Sequence, residues 1–391
     1  MAKITNKQYA VPFILITSLF FMWGFARSIL DVLNKHFQDT LNLNITESAM
    51  IQVTTYLAYF LMAIPAGMFI NKWGYRRGVV FGLSLFAIGA FLFIPSANIG
   101  TLTPFLVALF ILGCGLAFLE TSANPYSTEL GPRETSTARL NLSQSFNGLG
   151  SCIAPALVGG FLFSGGNVTL PYIIMGIVVV LVAVVFSFVR LPEIVVEDDT
   201  PQVEVKSPLK TVFKNGMFVL GAIALLAYEV GEISINSYFI QFTTGQGWLS
   251  SADSSTILSG ALTFFMIGRF IGSWLMQRIK AETVLLFCAI GTVLCMSLVL
   301  CDIPGISLYA LIGNYVFESI MFPTIFALTL QGLGNLTKTA SSVLMMTPVG
   351  GCAFLLVGIV ADNAGFVVPF VIPLIAFAIV LLFAYKKYKA S

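Results

Sequence analysis

The chain has 391 residues, 57% of them hydrophobic and only 10% charged, with a formal net charge of +2. Soluble domains carry about a quarter charged residues, so this composition excludes a soluble globular protein. A net charge this small, partitioned by loop, gives no argument for a nucleic-acid partner.

Crossing a bilayer takes ~20 apolar residues. Apolar runs between charged, Gly or Pro punctuation predict twelve spans, near 11–33, 48–70, 78–97, 103–125, 139–163, 169–190, 213–242, 254–277, 282–301, 306–330, 340–361 and 367–385. The start, Met1 to Lys7, has no A-x-A cleavage signal, so the first helix is expected to be retained. The longest connection, 191–212, divides a six-helix half at 1–190 from a second at 213–391. All but three of the 20 basic residues fall on one side of this alternation; the exceptions are Arg27, Lys35 and Arg269. The positive-inside rule then puts both termini in the cytoplasm.

An internal repeat supports the count. "GLAFLETSANPYS" pairs with "YVFESIMFPTIF", matching Glu120 to Glu318 and Pro125 to Pro323. "NGLGSCIAPALVGG" pairs with "PVGGCAFLLVGIV", matching Gly150 to Gly350 and Cys152 to Cys352. "GMFINKWGYRRGV" echoes "GSWLMQRIKAETV". Offsets of roughly 200 residues mean one six-helix unit duplicated in parallel.

Asp, Lys or Arg inside a bilayer costs roughly 2.5–3.5 kcal/mol on insertion scales, so each asks for a partner or a task. The ionisable set within the spans is Arg27, Asp31, Glu120, Glu229, Glu232, Arg269 and Glu318. Arg27 and Asp31 are four apart and share a helical face. Either Asp31 pairs outward with Lys35, or it is a titratable carboxylate facing a water-filled cavity beside Arg27. Glu120 lies deep in span four, one turn before Asn124-Pro125, with no basic residue close in sequence. A buried carboxylate without a partner takes up a proton rather than stay charged. Asp31 and Glu120 are therefore the candidate proton-coupling pair; the alternative for Glu120 is a protonated group bonding a neighbouring helix. Glu229 and Glu318 are expected to be packed.

Asn141, Gln144 and Asn147 form a polar stripe on span five. Amides both donate and accept, which suits a polyhydroxylated ligand, though they can also bond helix to helix. Gln52, Tyr56, Glu232, Asn236 and Asn314 join Arg27, Asp31, Gln144 and Asn147 as candidate substrate contacts. Trp23, Phe146 and Tyr238 could offer flat faces to a sugar ring. His36, the only histidine, is expected in a loop. Lys72, Arg76 and Arg77 in "NKWGYRR" can bond exposed helix C-terminal carbonyls and so latch the inner helix ends, or serve only as positive-inside charge. The six cysteines make no CxxC or Cys/His cluster, so neither a metal nor a disulfide framework is expected.

With these features the chain resembles a major facilitator superfamily transporter. "GMFINKWGYRRG" is similar to that superfamily's loop signature G-x-x-x-D-[RK]-x-G-[RK]-[RK], with Asn71 where the Asp stands. "FFMWGFARSILDVLNKHFQ", "IQVTTYLAYFLMAIPAG", "LETSANPY", "GPRETSTARLNLSQSFNGLG" and "FPTIFALTLQGLG" resemble the fucose:proton symporter branch, which includes L-fucose, glucose/galactose and N-acetylglucosamine permeases. The resemblance implies that Asp31 and Glu120 serve proton coupling and substrate recognition, with Asn147 as the family's span-five Asn. Arg27 departs from the neutral polar residue of the fucose symporter. Glu232 resembles the glucose/galactose permeases instead of the fucose symporter's glutamine.

The resulting expectation is an all-α inner-membrane protein of twelve helices in two halves, importing a monosaccharide with protons and driven by the proton gradient. It is expected to work as a monomer without cofactor or metal. No GxSxG, metal cluster or GxxxxGK[ST] motif supports an enzyme or ATP drive. A uniporter of the same fold, or a membrane-embedded sugar sensor, is the alternative.

Overall fold

The computed structural model describes residues 5, 7–131, 136–188, 208–276, 278–333 and 336–390. Among them, twelve helices are long and apolar enough to cross a membrane: Ala10–Leu41, Ile45–Ile70, Tyr75–Ile99, Leu102–Asn124, Leu142–Phe163, Thr169–Phe188, Gly216–Gly245, Ser251–Leu275, Ala281–Leu300, Ile306–Leu330, Thr347–Ala364 and Val368–Ala390. These are spans one to twelve. Most ends lie within a few residues of those expected from sequence.

Span one is the main exception, because it runs to Leu41 and not to 33. The charges there do not end the helix, since Lys35 reaches Asp39 one turn on, at 2.7 Å. His36 and Phe37 pack inward, so the histidine is a buried helical residue and not a loop residue. The helix stops where Asn42 turns left-handed at φ 53°. Asn44 and Glu47 then form a reciprocal capping box that opens span two. Span eleven also differs: a short helix, Thr337–Leu344, precedes a 3-10 segment over Thr347–Ala353. Pro348, Gly350 and Gly351 interrupt regular helix there. Most of the 191–212 connection lies outside the described residues; its end forms the helix Pro208–Lys214.

The chain divides into two compact units, Met1–Val195 with Ser251–Ser259, and Val196–Ser250 with Gly260–Ser391. In the first, span one packs on span five, and span three on spans four and six. In the second, span seven packs on span eleven, and span nine on spans ten and twelve. The same three pairings therefore occur in both, as a parallel duplication requires. Glycine makes the crossings close. A Cβ on Gly150 would sit 2.2 Å from the Phe21 carbonyl oxygen, and one on Gly350 2.9 Å from that of Leu226. The two residues matched from sequence thus do the same work, letting one backbone reach another. Outward faces are apolar, with Ile64, Leu157, Leu181 and Phe287 exposed, as lipid contact demands.

Candidate functional site

Inside the first unit, the closely crossed spans one and five bring polar groups against spans two and four. Arg27 donates from Nε to the Tyr56 hydroxyl at 3.0 Å, and its guanidinium carbon lies 5.5 Å from that ring's centroid. It is also an electrostatic neighbour of Glu120, so the cation that sequence could not assign to Glu120 comes from span one. Asp31, buried, accepts from Gln52 Nε2 at 3.3 Å. The outward pairing of Asp31 with Lys35 is replaced by the Lys35–Asp39 pair. Glu120 and Trp23 line one narrow crevice with Leu19, Phe20, Leu119 and Ala123. Arg27 therefore lies one turn before Asp31 along span one, is held by Tyr56 and acts on Glu120 through its charge.

The span-five amides are more structural. Gln144 donates to Asn124 Oδ1 at 3.2 Å, and Asn147 donates to the Phe20 carbonyl at 3.3 Å. Ser151 adds a bond to the Gly24 carbonyl at 3.2 Å. These bonds tie span five to spans four and one beside the crevice. The Asn141 side chain lies outside the described residues.

The second unit carries a different set. Asn236 donates to Glu232 Oε1 at 3.5 Å, both side chains being half-buried. Asn314 is fully buried and donates to Glu318 Oε2 at 2.7 Å, so it serves Glu318 instead of opening toward a ligand. Span ten breaks just after Glu318, between Ile306–Glu318 and Met321–Leu330. Arg269 donates to the Ser319 carbonyl at that break, at 3.2 Å. Tyr238 is 1% exposed and donates to the Phe366 carbonyl at 3.1 Å. It packs as a core ring and offers no face to a sugar. Phe146 is exposed.

In the "NKWGYRR" loop, Arg76 donates from Nε to the Phe186 carbonyl at 3.2 Å and from Nη2 to that of Ser187. It thus clasps the C-terminal end of span six within its own unit, where the exposed carbonyls carry the negative end of the helix dipole. Lys72 lies over the Trp73 ring at 4.9 Å, and Arg77 is exposed. The Asn71 side chain is outside the described residues.

Three contributors carried no clear sequence signal. Arg139, expected as loop charge, is wholly buried and donates to the Ser127 and Gly131 carbonyls at 3.1 and 3.3 Å, closing span four. Asn124 holds Gln144. Tyr59, three residues after Tyr56, shares the electrostatic surroundings of Glu120 and Arg27; its helical spacing was the one available hint.

The sequence pattern of the Major Facilitator Superfamily matches residues 16–354. The glucose/galactose transporter of Brucella abortus is 34% identical over 392 residues, covering 97% of this chain and 94% of its own. The L-fucose-proton symporter of Haemophilus influenzae is 34% identical over 426 residues, covering 99% of both. Among solved structures, the E. coli fucose:proton symporter superposes with a TM-score of 0.73 at 31% identity, covering 97% of this chain and 99% of the other. The chain belongs to the Major Facilitator Superfamily and, within it, to the group that holds these glucose/galactose and L-fucose transporters.

Proposed function

We propose that this chain is a secondary active sugar:proton symporter, importing a monosaccharide of the class for which its relatives are named, by alternating access. The observation that carries this reading is the Arg27 cluster, in which one guanidinium is held by Tyr56 and lies within electrostatic reach of Glu120, one turn along span one from the Gln52-bound Asp31. A cation held by Tyr56 within electrostatic reach of Glu120 lets the charge state of that carboxyl group alter what its neighbours feel. Glu120 takes the proton from the outer side. Asp31 and Gln52 present an acceptor and an amide to sugar hydroxyls, with Trp23 offering an apolar ring face. Gln144 and Asn147 add amide groups; within the second unit, Glu232 with Asn236 forms a polar pair of its own. Each proton carries in ~2.3 kcal/mol per 100 mV, so no cofactor is needed. The protein works as a monomer in a bacterial inner membrane, with both termini in the cytoplasm.

The test is external pH in lightly buffered, de-energised cells given pulses of L-fucose, D-galactose, D-glucose or N-acetylglucosamine. An alkaline drift with one sugar, lost in Glu120→Gln and Asp31→Asn, is expected. Sugar uptake without any drift would leave a uniporter and sink proton coupling.

A further inference from the structure

Arg27 and Asp31 belong to a longer polar stripe. Arg27, Asp31, Asn34 and Gln38 recur at steps of four, three and four residues and so line one face of span one. All but Asn34 are bonded to span two. Arg27 Nε donates to the Tyr56 hydroxyl at 3.0 Å, Asp31 accepts from Gln52 Nε2 at 3.3 Å, and Gln38 Nε2 donates to the Ser48 hydroxyl at 2.7 Å. Tyr56, Gln52 and Ser48 are themselves one turn apart along span two. Polar pairs thus join the two helices like rungs, from the Arg27 cluster to the turn between Asn42 and Asn44.

Asn34 interrupts the series. It lies between Asp31 and Gln38, is 0% exposed, and neither its Nδ2 nor its Oδ1 has a hydrogen-bond partner among the described residues. Each buried polar group left unsatisfied costs ~1–3 kcal/mol, so an apolar side chain would serve packing better. Buried amides of this kind are the groups that ordered water satisfies. A water that accepts from Nδ2 can donate onward to an Asp31 oxygen, one turn away. The ends of the series differ in access to solvent. Asp31, Asn34, Ser48 and Gln52 are buried, whereas Gln38 is half-buried and followed by exposed Asp39 and Thr40. Of the other titratable groups nearby on span one, Lys35 is taken by Asp39, and His36 lies on the opposite face of the helix.

We propose that Asn34 holds an ordered water, and that these rungs are the route by which the Asp31 carboxyl group exchanges its proton with the outer side. A proton enters beside Gln38 and Ser48 and passes through hydrogen-bonded water to the water on Asn34. That water gives it to an Asp31 oxygen, and the reverse order releases it. The amides of Asn34, Gln38 and Gln52 hold the water chain in place and do not titrate. The route rests on the proton-coupled reading above; the water on Asn34 does not.

The experiment has two arms, both on the full chain in lipid. In the first, a structure at a resolution that shows ordered water is expected to place one within hydrogen-bond distance of Asn34 Nδ2, and none there in Asn34→Leu. A wild-type structure of that quality with no water on Asn34 would overturn the proposal. In the second, proteoliposomes report sugar counterflow and sugar-driven proton uptake side by side. Asn34→Leu should keep counterflow near the wild-type rate and slow proton uptake by roughly tenfold or more, the weight of one hydrogen bond to a charged group. Asn34→Ser, with a hydroxyl and room for water, should recover most of that loss. Equal proton uptake in wild type and Asn34→Leu would overturn the route. So would loss of counterflow and proton uptake together in a variant that melts like the wild type. If no sugar moves protons in the wild type, the proposed function and the route fall together, and the first arm still decides the water site.

Discussion

Arg27 serves Tyr56 through a directed hydrogen bond and Glu120 through its charge. Lysine preserves the charge but lacks the planar fork that reaches the hydroxyl while still facing a second group. A hydrogen bond to a charged group contributes ~1.5–3 kcal/mol, so Arg27→Lys should reduce sugar uptake by roughly tenfold or more. Tyr56→Phe should do much the same. Because both changes remove one contact, the double variant should lose little beyond either single one; additive losses in uptake rates would show separate roles. Glu120→Gln should abolish uphill accumulation yet retain sugar counterflow across energised or de-energised vesicles, because exchange needs the sugar contacts but no net proton movement. Loss of counterflow as well would make Glu120 a sugar contact or a structural group.

At the scale of the helix, glycine determines how near the polar groups come. A Cβ on Gly24 would lie 2.1 Å from the Asn147 carbonyl oxygen, and one on Gly150 2.2 Å from that of Phe21. Both obstacles are backbone, so spans one and five must separate. Overpacking of this kind costs about 1–3 kcal/mol, and Gly24→Ala or Gly150→Ala should lower thermal stability in detergent by several degrees. Gly67→Ala meets nothing within 4 Å and should leave it unchanged. Arg76 is a second case, because its bonds close the end of span six inside one unit. Arg76→Ala should therefore lower the melting temperature, with Arg77→Ala as the neutral comparison. If both variants melted like the wild type while transport failed, a latch that acts only during the cycle would be the better account.

For the whole molecule, an even number of spans puts both termini on one side. The expected orientation places the end of span nine outside. Cys301 follows that end and is exposed, while Cys114, Cys152 and Cys288 are buried. A membrane-impermeant maleimide applied to intact cells should label the protein, and Cys301→Ser should remove that label. Labelling only after the cells are permeabilised would reverse the topology.

The twelve spans found among the described residues and the duplication were legible in the linear chain, because a bilayer imposes a length on every apolar run. Asp31, Glu120 and Arg27 were legible too, since a charge in an apolar helix stands out against its neighbours. Pairing was not. Lys35 could have gone back to Asp31 or forward to Asp39, since both lie one turn away, and only packing against span two gave Asp31 to Gln52. The cation for Glu120 lies in a different helix, beyond the reach of any i, i+4 argument. Arg139 read as loop charge because its carbonyl partners exist only once span four ends beside it. Asn314 looked like an open polar group and Tyr238 like a ring face for a sugar until the fold buried them against Glu318 and the Phe366 carbonyl. Local composition determines which segments leave water, because transfer energies belong to single residues; which polar groups then satisfy one another depends on the geometry of helices crossing at their glycines.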